Sequence, residues 1–241
     1  GTLIGRPKSA TFRTSDIVGL DTMCFVANTA FEKCSDDPEK DIFKIPEYLK
    51  KMVDNEWLGQ KSKQGFYKKI DKGVIHSIDL DTLEYTPQNK KRYSGIRLAK
   101  EHTRSGDRLK ALINSEDVAG KFIWEVTSKA LLYSAGRLGE IADDIVNVDR
   151  AMRWGFGWEM GPFEVWDSLG FNICINRMKS ENKVIPLWVL NMIDKGNAKF
   201  YKYLDGLHCY WDINKEDYLP IPISLKELRF MNYKHNGNLV E

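Results

Sequence analysis

The same order of residue types occurs in both halves of the chain. PEYLKKMVDNEWLG (46–59) begins with proline, ends with glycine, carries apolar residues at helical spacing, and is followed by Phe66-Tyr67-Lys68. PLWVLNMIDKG (186–196) has the same features and is followed by Phe200-Tyr201-Lys202. Proline is favoured at the first position of a helix and glycine just past its end. Each half is therefore predicted to contain a helix, a loop and an aromatic pair that begins a strand.

Hairpin signals follow the aromatic pair in each copy. Asp-Lys-Gly at 71–73 and Asp-Gly at 205–206 lie between short alternating runs, which is typical of a β-hairpin turn. Asp79 and Asp212 then each precede a tyrosine by six residues. We predict a mainly α fold of two tandem repeats, each of which ends in a small β-hairpin.

Each copy also has an aspartate three residues before a glycine: Asp16 before Gly19, and Asp167 before Gly170. A general base is one interpretation of these carboxylates. Because they recur at the same place in both copies, near predicted helix starts, a local capping or structural role is favoured. After Gly19, apolar residues at alternating spacings of four and three predict an amphipathic helix: Leu20, Cys24, Ala27 and Phe31.

Only the second copy is preceded by long helical patterns. Residues 116–138 predict a helix with one apolar face, formed by Phe122, Val126, Ala130 and Tyr133. Residues 143–155 predict a shorter helix with acidic residues at its start. Since the first copy lacks such helices, we expect the chain to begin partway through the first repeat.

A basic stretch separates the two copies. Its lysines and arginines fit either a phosphate-binding surface or a solvated linker that runs into a helix, and the linker is favoured. The last residues are polar and unpatterned. We predict four segments, in order a first (N-terminally truncated) repeat, a basic linker with a helix, a second repeat and a tail: 1–90, 91–115, 116–220 and 221–241.

Composition excludes several classes of protein. The formal net charge is +2, so no overall field favours nucleic acid or an anionic membrane. No apolar run approaches the roughly 20 residues that a membrane-spanning helix needs. The four cysteines show no CxxC spacing, which predicts reduced thiols and a cytoplasmic location.

Motifs that carry catalytic chemistry are absent from the sequence. The four histidines stand alone, with no HExxH and no GxSxG. GFGWEMG (155–161) is one residue longer than the dinucleotide-binding G-x-G-x-x-G and follows a helical pattern instead of a strand. It is predicted to be a helix end and a turn into Pro162. We expect no catalytic, cofactor-binding or metal-binding residue in this chain.

Three stretches together carry a resemblance to a known family: GRPKSATFRTSDIVGLDT, LGQKSKQGFYKK and VDRAMRWGFGWEMGPFEVWDSLG. They resemble the C-terminal helical domains of 3-hydroxyacyl-CoA dehydrogenases, over about residues 1–212. The resemblance implies two tandem 6-phosphogluconate-dehydrogenase C-terminal-like helical repeats. It also implies that the chain belongs to a large fusion protein. In some of these fusion proteins an enoyl-CoA hydratase domain follows the two helical repeats.

Enzymes of this family oxidise (S)-3-hydroxyacyl-CoA with NAD in fatty-acid β-oxidation. The resemblance implies that NAD and the catalytic His–Glu pair belong to an N-terminal Rossmann domain that is missing here, so that this region is inactive alone. In the second copy, KFIWEV stands near the place where the family has a substrate-binding Asn-Arg pair, and it contains no such pair. The resemblance therefore implies that the second copy is a non-catalytic repeat.

The first copy is expected to face the missing domain and the acyl-CoA substrate. The candidates for an acyl-chain wall are Phe43, Ile45, Pro46 and Leu49, with plain core packing as the alternative. Lys61 and Lys63 are the candidates to meet CoA phosphates, and solvated loop lysines are the alternative.

Duplication itself suggests a structural purpose. Single-copy members of the family pair their helical domains in a homodimer. Two copies in one chain are expected to pack on each other and to replace that contact, which predicts a chain that can be monomeric. A stand-alone, non-catalytic acyl-CoA-binding or scaffold module is the alternative function.

Overall fold

A computed structural model describes residues 1–89 and 91–222. The chain divides into two compact units. The first unit contains Lys8–Lys91 together with Gly1. The second contains Thr2–Pro7 and the described part of Arg92–Glu241. Lys90, the last residue of the predicted first repeat, and most of the predicted tail, residues 223–241, lie outside the described residues.

The first unit consists of three α-helices followed by a small antiparallel sheet. Its helices are α1 (Ala10–Val18), α2 (Leu20–Lys33) and α3 (Glu47–Asp54). Its strands are β1 (Tyr67–Lys69), β2 (Ile75–Ile78) and β3 (Tyr85–Pro87), which pair in that order. Pro46 precedes α3 as predicted, but the helix ends at Asp54, before the predicted Gly59. The predicted hairpin is extended by a third strand.

A small apolar core holds the first unit together. Its buried members are Leu20, Leu49, Met52, Phe66 and Ile78. The predicted inner face of α2 is confirmed, because Leu20 is buried and Cys24 packs against the core, whereas Phe25 is 72% exposed. Several large apolar side chains of α1 and α2 remain exposed: Phe12, Ile17, Val18, Phe25 and Val26.

The second unit is larger and contains seven helices and a second antiparallel sheet within its described residues. Its helices are α4 (Ser94–Ala99), α5 (Ser105–Ile113), α6 (Val118–Gly136), α7 (Ile145–Phe156), α8 (Pro162–Leu169), α9 (Phe171–Ser180) and α10 (Leu187–Asp194). Its strands are β4 (Tyr201–Leu204), β5 (Leu207–Asp212) and β6 (Asp217–Pro220), which pair in that order. The molecule is thus mainly helical with a small antiparallel sheet in each unit, as the sequence predicted.

The predicted apolar face of the long helix α6 is wrong. Trp124, Leu131 and Ala135 are buried at 3% exposure or less, whereas Phe122 is 63% exposed. Residues of this helix are apolar on several sides, so spacing alone does not identify the inner face. Packing of α6 against α5 and α8 selects it.

Helical structure occupies the stretch that is predicted as a basic linker with a helix, and it consists of two helices instead of one. Both α4 and α5 lie within residues 91–115, and α5 buries Leu109, Leu112 and Ile113 at the i, i+3, i+4 spacing of a helix face. The lysines and arginines of this stretch are exposed except Arg108, whose side chain is 16% exposed and pairs with Glu159. No helix in the described residues combines the length and the apolar character that a bilayer crossing demands.

Candidate functional site

Asp16 fixes the start of the first sheet. It lies in the second half of α1, is 1% exposed, and accepts hydrogen bonds from the backbone N–H groups of Phe66 (2.8 Å) and Tyr67 (3.0 Å). Gly65 makes this approach possible, because a Cβ there would lie 2.2 Å from Asp16 Oδ1. Burial raises the pKa of Asp16, and the two N–H groups oppose this effect. Both carboxylate oxygens are therefore engaged in holding the backbone.

Asp167 makes the same arrangement in the second unit. Its two carboxylate oxygens accept hydrogen bonds from the backbone N–H groups of Phe200 and Tyr201, both at 2.9 Å. The favoured structural role of the two aspartates is confirmed. Asp16 and Asp167 lie near helix starts, as predicted, just before α2 and α9 begin, but they bind the N–H groups of strand starts instead of capping those helices.

Asp149 is a buried carboxylate to which the sequence analysis assigned no role. It lies on α7, is 2% exposed, and accepts hydrogen bonds from Phe163 N (2.9 Å), Glu164 N (3.1 Å) and the Tyr201 hydroxyl (2.7 Å). It joins α7, the start of α8 and strand β4. The sequence does contain a signal for this residue. Asp149 follows Val148 in the predicted helix 143–155 and falls on its apolar face, where a buried carboxylate needs hydrogen-bond donors.

The two carboxylates of the second unit should make its stability depend on pH. Burial raises the pKa of Asp149 to about 7 and that of Asp167 to about 6, against an ordinary value of 3.8. The pKa of each carboxyl is higher in the folded state than in the unfolded state. The stabilisation that each one gives to the folded state is therefore fully present below about pH 4 and is lost as the pH rises through 6 to 7.

We expect the free energy of unfolding of wild type, minus that of Asp149→Asn, to fall between pH 4 and pH 7, by at most about 1.4 kcal/mol per pH unit. Urea denaturation at half-unit pH steps measures this difference. Parallel profiles for the two proteins would show that Asp149 does not titrate in this range.

A pocket of about 590 Å³ opens between α1, the loop after Gly59 and the first sheet. Four cationic residues line it, Arg13, Lys63, Lys68 and Lys69, of which Lys68 has its ammonium over the Tyr85 ring at 5.3 Å. Its other lining residues are Asp16, Gly59, Gln60, Tyr67, Ile75 and Gln88. The volume lies within the range of small-molecule sites, roughly 300–1,000 Å³. This pocket is the candidate functional site of the first unit.

The second unit has a pocket of about 330 Å³ at the corresponding place. It is lined by Glu164, Asp167, Ser168, Lys199, Tyr201 and His208. Glu164 precedes Asp167 by three residues, just as Arg13 precedes Asp16, so the charge at this position is reversed. Glu164 also pairs with Arg153 at 3.1 Å. The two pockets therefore share a backbone frame but differ in electrostatics.

The structure places the predicted site residues in different environments. Lys63 lines the pocket of the first unit, whereas Lys61 pairs with Asp21 at 2.5 Å. Leu49 is a core residue at 4% exposure, and Ile45 packs against that core. Phe43 is partly buried at the end of a 3₁₀ helix, and Pro46 is exposed. The acyl-chain wall remains a prediction. Arg13, Lys68 and Lys69 were missed because only the fold brings them to Lys63.

GFGWEMG forms a helix end, as predicted. Helix α7 ends at Phe156, and Gly157 adopts the left-handed conformation with φ of 64°. Gly161 then caps α8, whose first residue is Pro162. A dinucleotide site needs a strand ahead of the glycines, and a helix stands there instead. The residues of this segment do not fit NAD.

Comparisons with known proteins identify the family of this fold. The sequence model for "3-hydroxyacyl-CoA dehydrogenase, C-terminal domain" matches residues 2–69 and again residues 128–201. The chain belongs to this family. No solved structure matches it.

Curated relatives agree with the family. A "Probable 3-hydroxyacyl-CoA dehydrogenase" of Bacillus subtilis is 42% identical over 240 residues, which is 100% of this chain and 30% of that protein. A "Putative fatty acid oxidation complex trifunctional enzyme" of Rickettsia felis is 26% identical over 97% of this chain and 31% of its own length. The chain thus spans about 30% of the length of these relatives.

Proposed function

We propose that this chain is the substrate-binding and assembly region of an NAD-dependent (S)-3-hydroxyacyl-CoA dehydrogenase of fatty-acid β-oxidation. The observation that carries the proposal is the family match in both units, together with a relative of that name that aligns along the whole chain. The fold alone would not be enough, because one fold hosts many functions.

Internal duplication is part of the proposal. Gly19 and Gly170, which separate the paired helices, have φ of 104° and 99°. Asp79 and Asp212 each accept hydrogen bonds from the backbone N–H groups two and three residues later. With the Asp16 and Asp167 arrangements, these equivalences support two copies of one structural unit.

An assembly role is supported by apolar surface on the first unit. Phe12 is 45% exposed and Val18 is 53% exposed, whereas their sequence counterparts Phe163 and Leu169 are 0% and 1% exposed. In the second unit α5 and α6 pack on α8, which contains both counterparts. We propose that an amphipathic helix of similar character covers α1 in the assembled enzyme.

The chemistry is assigned to a separate NAD-binding domain. Carboxylates Asp16, Asp149 and Asp167 are occupied by backbone N–H groups, which leaves them unsuited to act as general bases. No group of three His, Cys, Asp or Glu side chains in the described residues is arranged to hold a metal ion. We propose that the chain contributes binding surface, while the hydride acceptor and the base come from that domain.

The test is dehydrogenase activity in the native protein that carries this chain. We expect NADH formation at 340 nm when it is given (S)-3-hydroxybutyryl-CoA and NAD. Acyl-CoA binding without any NAD reduction would instead favour the alternative, a non-catalytic acyl-CoA-binding module. Absence of both would refute the proposed function.

A further inference from the structure

We propose that the pocket of the first unit binds the phosphate groups of a nucleotide-type ligand. The identification of that ligand as coenzyme A rests on the proposed function, but the phosphate site rests on the pocket itself. Three features of the pocket support this site: its charge, its shape and its difference from the pocket of the second unit.

The charge of the pocket is strongly one-sided. Arg13, Lys63, Lys68 and Lys69 face a single carboxylate, Asp16, whose oxygens already accept two backbone hydrogen bonds. Within residues 1–89 and 91–222, none of these four cations has a carboxylate within salt-bridge distance, although Lys61 on the same loop has Asp21. Lys68 lies over the Tyr85 ring, 5.3 Å from its centroid. Arg13, Lys63 and Lys69 are therefore the cations left to attract a polyanion to this pocket. Charge-assisted hydrogen bonds to phosphate are among the strong ones.

The arrangement also suits a group larger than a free ion. Arg13 projects from α1, Lys63 from the loop, and Lys68 and Lys69 from β1, so the cations come from three segments. Arginine can bind phosphate through two parallel hydrogen bonds. Tyr67 and Ile75 add apolar surface, and Ile75 is 53% exposed. A ligand with phosphates and a ring or ribose matches this mixture.

The second unit shows that the fold does not require Arg13, Lys63 or Lys69. Its pocket keeps the aspartate and the tyrosine, but has Glu164 at the position of Arg13 and His208 at the position of Ile75. The two units therefore share the frame and one strand lysine (Lys68 and Lys202), and the second pocket has a single lining lysine, Lys199, whereas Arg13, Lys63 and Lys69 have no cationic counterpart there.

Calorimetric titration of the full chain with coenzyme A tests the proposal. Arg13→Glu copies the charge found in the second unit, and we expect it to weaken coenzyme A binding at least tenfold. Lys61→Gln removes a neighbouring cation outside the pocket and should change the affinity less than twofold. If Arg13→Glu alters the circular dichroism spectrum, the double variant Lys63→Gln with Lys69→Gln, on exposed side chains, takes its place.

Two further ligands distinguish the source of the phosphate. Weaker binding of 3′-dephospho-coenzyme A than of coenzyme A would place the 3′-phosphate in the pocket, and equal binding would place the diphosphate there. Displacement of coenzyme A by millimolar inorganic phosphate would support a phosphate site in the pocket, whether the 3′-phosphate or the diphosphate occupies it. Coenzyme A binding that is undetectable, or that Arg13→Glu and Lys61→Gln weaken equally, would overturn the site. Arg13-dependent binding in a native protein without dehydrogenase activity would instead keep the site and refute the proposed function.

Discussion

Replacement of Asp149 by alanine should lower the free energy of unfolding of the second unit by about 3–5 kcal/mol. The change leaves three donors without a partner: Phe163 N, Glu164 N and the Tyr201 hydroxyl. An unsatisfied buried donor costs roughly 1–3 kcal/mol. Because the three donors belong to two other elements, α8 and β4, their loss should loosen the packing of α7 as well.

Urea denaturation followed by tryptophan fluorescence measures this effect, because all but one of the seven tryptophans lie in the second unit. Asp144→Ala is the matched control. It removes an aspartate that caps the same helix through Asn147 N at 2.7 Å but is only half-buried, and should cost about 1 kcal/mol. Equal losses in the two variants would contradict the assigned role of Asp149.

Replacement of Gly59 by alanine should disrupt the first unit, at a cost of about 3 kcal/mol or more. Gly59 has φ of +98°, a conformation that L-residues rarely adopt. A Cβ there would also lie 2.4 Å from the backbone oxygen of Asp16, which cannot move without α1. Backbone strain and a hard clash therefore act together. Hydrogen exchange of the β1 and β2 amides should show the loss of protection.

Gly73→Ala distinguishes the cost of backbone strain from the cost of the steric clash with Asp16. Gly73 also has positive φ, +83°, but the nearest atom to its Cβ would be the Lys69 Cε at 3.3 Å, on a flexible side chain. It should therefore show conformational strain alone, roughly 1–2 kcal/mol. If Gly73→Ala destabilised the first unit as much as Gly59→Ala, the close contact with Asp16 would not explain the requirement for glycine.

Local patterns in the sequence predicted the parts of the fold that depend on local chemistry. Pro46 and Pro186 mark helix starts, and the Phe-Tyr pairs begin strands, because helix starts and turns depend on a few neighbouring residues. The third strand of each sheet was missed. Strand β3 is three residues long and ends at Pro87, which gives almost no periodic signal.

Features that depend on tertiary packing could not be predicted from the sequence. The inner face of α6 depends on what α5 and α8 bring to it, since both Phe122 and Trp124 fit an apolar face. The pocket of the first unit joins Arg13 to Lys68, which are far apart in sequence and adjacent only after folding. Lys63 lines the same pocket, and its contact with coenzyme A phosphate stays a prediction.

The most direct test of the proposed function is calorimetric titration of this chain with acetoacetyl-CoA and, separately, with NAD. We expect saturable binding of acetoacetyl-CoA, because the substrate surface belongs to this region. We expect no binding of NAD, because GFGWEMG forms a helix end instead of a dinucleotide loop. Saturable NAD binding, or no binding of acetoacetyl-CoA, would contradict the assignment of this chain as the substrate-binding region.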